Sequence, residues 1–88
     1  MAWSVEISDH AERQLRKLDA QVRRRILDWL DERIERCKNP RHFGEALKGG
    51  RAGLWRYRVG DYRIICQIKD GRLVVLALAV GHRREVYR

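Results

Sequence analysis

The stretch 54–68, LWRYRVGDYRIICQI, holds three arginines at spacings that could do chemistry. It reads as two alternating strands around Gly60-Asp61, a pair that fits a two-residue hairpin loop with glycine where φ must be positive. Counted outward, Val59 faces Tyr62, Tyr57 faces Ile64 and Trp55 faces Cys66. Strand side chains alternate, so these six share one largely apolar side. On the other side Arg58 falls opposite Arg63, with Arg56 two residues along. Like charges facing each other across a ladder destabilise it by about 0.2–1 kcal/mol. Arginine forks bond phosphate oxygens bidentately. A cluster that costs stability and suits phosphate is a candidate polyanion site.

The charge balance agrees. Twenty Lys/Arg against twelve Asp/Glu give a formal net charge of +8 over 88 residues. Residues 1–40 hold nine basic and eight acidic side chains, whereas residues 41–88 hold eleven and four. A basic half of this kind points to nucleic acid, with solubility or an acidic protein partner as the plainer reading. The length allows one domain, spanning 1–88. Cys37 and Cys66 lack metal-like spacing, and Cys66 falls on the apolar hairpin side. Reduced thiols and a cytoplasmic home are expected. No targeting segment and no apolar run long enough for a membrane span is read.

The elements that must position the arginines follow from pattern. WSVEIS alternates Trp3, Val5 and Ile7 against polar residues, a half-buried strand. Ser8 or Asp9 can cap a short helix with Ala11, Leu15 and Leu18 inward. Asp19 can cap a longer helix from about Ala20 to Lys38, with Val22, Ile26, Trp29, Leu30, Ile34 and Cys37 as its apolar stripe. Arg23-Arg24-Arg25 reads as a solvated helix surface balanced by Asp28, Asp31, Glu32 and Glu35. Residues 41–53 read as a mobile basic rim, with Lys48 and Arg51 flanking Gly49-Gly50. Asp70-Gly71 predicts a second two-residue turn, placing Ile68 against Leu73, Cys66 against Val75 and Ile64 against Ala77. The strand RLVVLALAV is apolar on both faces and suits a central position. The expected fold class is α+β: a two-layer β-α-α-β-β-β arrangement, with two N-terminal helices on one face of a mainly antiparallel sheet.

LKGGRAGLWRYRVGDYRIICQI followed by ALAVGHRREVY resembles the RelE/ParE superfamily of bacterial toxins, the RelE branch most closely, over nearly the whole chain. The resemblance implies a RelE-like fold and the toxin of a type II toxin–antitoxin system. It implies a ribosome-dependent endoribonuclease that cuts messenger RNA in the A site, by attack of a ribose 2′-hydroxyl on the adjacent phosphodiester. By position it assigns the catalytic surface to Arg56, Arg58, Arg63, Arg83 and Tyr87. Lys48, Arg51, His82 and Arg84 are the expected RNA or ribosome contacts. The repulsion in the hairpin is then relieved when a phosphate docks between the arginines. No cofactor and no metal are implied. The implied partners are a cognate antitoxin and the bacterial ribosome with its messenger RNA, the toxin being a monomer alone and a hetero-oligomer with the antitoxin.

Relatives often carry lysines where this chain has Arg56 and Arg58. Arginine stays protonated, so neither should shuttle protons. His82 and Glu85 are the alternatives near the expected site, with loop orientation and an ion pair as their plainer roles. Two other functions compete: a ParE-type inhibitor of DNA gyrase that acts by binding protein, and a non-catalytic nucleic-acid-binding relative.

Overall fold

The computed structural model describes residues 3–49 and 53–82. In chain order they form β1 (Ser4–Ile7), α1 (Asp9–Arg16), α2 (Ala20–Trp29), β2 (Glu45–Ala46), β3 (Trp55–Val59), β4 (Tyr62–Lys69) and β5 (Val74–His82). The five strands make one sheet in the order β1-β5-β4-β3-β2. β1 runs parallel to β5, and every other pairing is antiparallel. This is the expected two-layer α+β arrangement, with one more strand, β2, inside the segment read as a loop. β5 lies between β1 and β4, as a strand apolar on both faces should.

Local chemistry explains the helix starts. Ser8 Oγ accepts from the Ala11 N–H at 3.1 Å, and an Asp19 carboxylate oxygen accepts from the Gln21 N–H at 3.0 Å, each satisfying an orphan donor of a first turn. The second helix is expected to run unbroken to Lys38, but it is α-helical only to Trp29 and continues as a π-helical turn, Leu30–Glu35. Leu30 and Ile34 stay buried through the wider winding. The Cys37 thiol then donates to the Ile34 carbonyl at 2.9 Å, and Pro40 opens a 3-10 turn, Pro40–His42. One core sits between the helices and the sheet: Leu15, Ile26 and Ile34 pack with Tyr57, Ile64, Cys66 and Val75, all at most 2% exposed. Burial pushes the Cys66 thiol up to about 12, so it serves as a small hydrophobe.

The β4–β5 connection differs from expectation. Asp70–Arg72 form a 3-10 turn, and Leu73, not glycine, takes the left-handed conformation at φ 53°. Leu73 packs against the core, which offsets the roughly 1–2 kcal/mol that an L-residue loses there. Arg41 holds Asp70 from outside through two hydrogen bonds of 2.8 and 2.9 Å. Closure therefore falls at Lys69 and Val74, Ile68 pairs with Val75 and Cys66 pairs with Ala77. That slip of two leaves the faces unchanged. A β-bulge follows: Ile65 pairs with Ala79, so Leu78 is an extra residue and Ile64 meets Val80. Beyond the bulge the facing of β5 side chains is inverted.

The cap of α1 and a residue of its second turn hold the bulge where β1 has ended. The Ser8 N–H donates to the Ala77 carbonyl at 2.9 Å, and the Ser8 hydroxyl to the Leu78 carbonyl at 3.2 Å. The Val80 N–H donates to Gln14 Oε1 at 2.6 Å. These bonds satisfy backbone groups that a longer first strand would have paired. Among the described residues no helix is long and apolar enough to cross a membrane.

Candidate functional site

The β3–β4 ladder has the register expected from its turn: Val59 with Tyr62, Arg58 with Arg63, Tyr57 with Ile64 and Trp55 with Cys66. Gly60 has φ 60°, so the turn favours glycine for its dihedral, and a Cβ there would lie 3.1 Å from the guanidinium of Arg25, a side chain that can shift. Tyr57 and Ile64 are fully buried under the helices. Arg56, Arg58 and Arg63 share the opposite face, which neither helix covers. Arg58 is exposed and Arg63 half-buried. Among the described residues, no acidic side chain pairs with Arg58 or Arg63. Arg63 Nε is a buried side-chain nitrogen with no hydrogen-bond partner. The residue across from Arg63 on β5 is Gly81, which has no side chain.

Arg56 stands differently. Glu45 of β2 lies directly opposite it, and the Glu45 carboxylate pairs with Arg56 Nη2 on the arginine face. The segment that delivers Glu45 is fixed at several points. The Tyr57 hydroxyl donates to the Pro40 carbonyl at 2.8 Å, and Trp55 Nε1–H to the Phe43 carbonyl at 2.6 Å. The Phe43 ring meets Trp29 edge-on, with centroids 6.1 Å apart. Gly44 has φ 73°, and a Cβ on it would sit 2.2 Å from the Arg56 carbonyl oxygen, so only glycine permits this approach. Burial, followed by the nearby Cys66 and Cys37 thiols, raises the Tyr57 phenol well above its ordinary range, so it remains a neutral donor. Sequence reasoning missed Glu45. The one signal was its isolation as the only acidic residue between Glu35 and Asp61.

The remaining expected site residues divide. Lys48 is exposed just beyond β2. Arg51, Arg83, Arg84, Glu85 and Tyr87 lie outside the described residues. His82 is placed where the reading did not expect it. The bulge puts it opposite Tyr62, on the helix-covered side, with the two rings edge-on at 5.7 Å. Were Leu78 paired with Ile65 rather than bulged, the His82 side chain would share the arginine face. His10 and His42 are exposed, as read. Among the described residues, no three His, Cys, Asp or Glu side chains are grouped to hold a metal ion.

A family model described as the ParE toxin of type II toxin–antitoxin system, parDE, matches residues 5–87. The chain belongs to this toxin family. Toxin RelG of Mycobacterium tuberculosis is 30% identical over 88 residues, covering 100% of this chain and 99% of RelG. The mRNA interferase toxin RelE of Escherichia coli is 31% identical over 90 residues, covering 99% and 92%. Among solved structures, the toxin–antitoxin complex RelBE2 of M. tuberculosis superposes with a TM-score of 0.86 at 28% identity, covering 94% of this chain and 100% of that one. These matches bear out the RelE/ParE reading and the RelE-like fold.

Proposed function

We propose that this toxin is a ribosome-dependent endoribonuclease that cuts messenger RNA in the A site. The observation that carries the reading is the Arg58–Arg63 pair, opposed across a ladder on a face that neither helix covers, with no acidic partner among the described residues. The similar toxin of E. coli being named an mRNA interferase supports it. In the proposed reaction the ribose 2′-oxygen attacks the adjacent phosphorus, leaving a 2′,3′-cyclic phosphate and a 5′-hydroxyl. Catalysis then consists of positioning and of stabilising charge on the phosphorane-like transition state, tasks that fixed guanidinium forks perform without a metal.

Arg63 is the central clamp in this reading, with Arg58 across the ladder and Arg56 holding the same or the next phosphate. Arg83 and Tyr87 enter on the resemblance alone, Arg83 as the second clamp and Tyr87 stacking on a base or assisting proton transfer. Lys48, Arg51 and Arg84 are proposed contacts to RNA or ribosome. His82 belongs to the Tyr62 side of the sheet and has no part in the clamp. The partner proposed for the free toxin is an antitoxin, supported by the M. tuberculosis neighbour having been solved as a toxin–antitoxin complex. An acidic or amphipathic chain would suit the arginine face.

The test is primer extension on a defined messenger RNA, with purified toxin, in the presence and absence of ribosomes stalled with an empty A site. Cleavage only with ribosomes is expected. No cleavage in either case would turn the assignment to a protein target such as gyrase, with the arginines as a docking surface.

A further inference from the structure

Beyond the arginines the same face continues along β4, and its character changes. β4 is an inner strand, and it keeps its alternation through the bulge, whose extra residue belongs to β5. Arg63, Ile65 and Gln67 therefore share one side. Ile65 is 6% exposed, whereas Gln67 is exposed. On one flank Gln67 pairs with Leu76 of β5. On the other, Leu54 precedes Trp55, the partner of Cys66, and so falls beside Gln67. Both leucines are half-buried. We propose that Gln67 reads a base of the bound messenger RNA, beyond the phosphate held by Arg63. The inference rests on the ribonuclease reading above.

The position suits a base and not the reacting phosphate. Four residues along a strand span roughly 13 Å, so Gln67 meets a neighbouring nucleotide while Arg58 and Arg63 hold the bond to be cut. The chemistry of the spot differs from the clamp in the same sense. A base has broad flat faces and a polar edge. Ile65, Leu54 and Leu76 offer apolar surface to the face, and the Gln67 amide offers both donor and acceptor to the edge. An apolar lining with few polar groups is the form of a site that fixes orientation. Among the described residues nothing hydrogen-bonds that amide, so it is available to a ligand. The acid in the same row, Glu6 of β1, pairs with Leu76 and has its carboxylate 3.7 Å from Arg72. Lys69, two residues further along the same face, supplies a cation for a phosphate beyond the base.

Single-stranded RNA is read by hydrogen bonds to the edges that its unpaired bases expose. One glutamine amide can donate to adenine N7 and accept from adenine N6 together, so adenine is the expected base. Such a bidentate pair discriminates between bases by roughly 5- to 150-fold.

The test uses full-length toxin on ribosomes stalled with an empty A site, and messengers that differ by one base at a time through the codon presented. Primer extension gives a cleavage rate on each for wild type, Gln67→Ala and Gln67→Glu. Wild type should favour adenine at one position. Gln67→Ala should lower that preference by roughly 5- to 150-fold, by slowing cleavage of the favoured messenger, with the melting temperature unchanged. Gln67→Glu should move the preference toward cytosine, whose N4 donates to a carboxylate. Any selection imposed by the ribosome is common to the three proteins and cancels in the comparison. The proposal is overturned if Gln67→Ala keeps the wild-type profile. It is equally overturned if Gln67→Ala slows every messenger alike, which is what a merely structural Gln67 would give. If wild type binds the ribosome and cleaves none of the messengers, the ribonuclease reading itself falls, and the proposal falls with it.

Discussion

The two ends of the arginine face are built from the same residue type on the same hairpin and differ in one respect. Near the Gly60 turn Arg58 faces Arg63 with no acidic partner among the described residues, whereas two residues along β3 Arg56 faces Glu45. The short edge strand reaches one end and stops before the other. Among the described residues, the fold therefore compensates charge where β2 supplies an acid, and leaves it uncompensated where β2 has ended. Opposed like charges cost roughly 0.2–1 kcal/mol. That expense has no structural return, so the uncompensated end is the part of the face to assign to an external anion.

The largest effect that would break this contrast is on cleavage. Arg63→Ala should lower the rate on stalled ribosomes by about 10²–10³-fold, the scale of losing one fixed donor to transition-state charge. An unchanged rate in primer extension would end the clamp assignment. At the compensated end the leading effect should be on folding. Gly44→Ala puts a side chain at positive φ against backbone, and should cost about 1–3 kcal/mol. For a domain this size each kcal/mol lowers the melting temperature by about 4–8 °C, measurable by circular dichroism.

Arg58→Gln sharpens the contrast, because stability and binding should move in opposite directions. Removing the like-charge pair should stabilise the free toxin by about 0.2–1 kcal/mol. The slope of log affinity against log salt for single-stranded RNA should fall by about 0.7, because one phosphate is no longer neutralised. Denaturant melts and a salt series check the two halves. The smallest effect lies outside the face. Arg41 holds the Asp70 carboxyl below its ordinary range. A depressed carboxylate contributes stability above its unfolded pKa and loses it as pH falls through the folded value. The small gap between wild type and Asp70→Asn in melting temperature should therefore be present at neutral pH and close on acidification.

Much of the arginine face was legible because period-two alternation and a two-residue turn leave little freedom: once Gly60-Asp61 is the turn, Arg58 must meet Arg63. The helix caps at Ser8 and Asp19 were legible for the same local reason. What was not legible depended on contacts remote in sequence. Glu45 becomes a site residue only because β2 pairs with β3, and that needs Trp55 and Tyr57 to hold carbonyls twelve and seventeen residues earlier. The β4–β5 turn has a strong two-residue signature in Asp70-Gly71, yet the burial of Leu73 and the grip of Arg41 on Asp70 prevailed over it. The bulge at Leu78 has no local signature, since every residue around it is apolar.

That bulge has a bearing on how the gene can change. Excising the single codon for Leu78 would restore simple alternation along β5 with every pair kept: Ala79 would still meet Ile65, and His82 would still meet Tyr62. Taking Leu78 into the ladder opposite Ile65 would instead slip the rest of the strand by one. Ala79 would meet Ile64, Gly81 would meet Tyr62, and His82 would pass to the face that bears Arg63. The hydrogen bonds from Ser8 and Gln14 to the backbone of residues 77–80 oppose that slip. The side an imidazole takes at the end of β5 is thus decided by a residue that pairs with nothing.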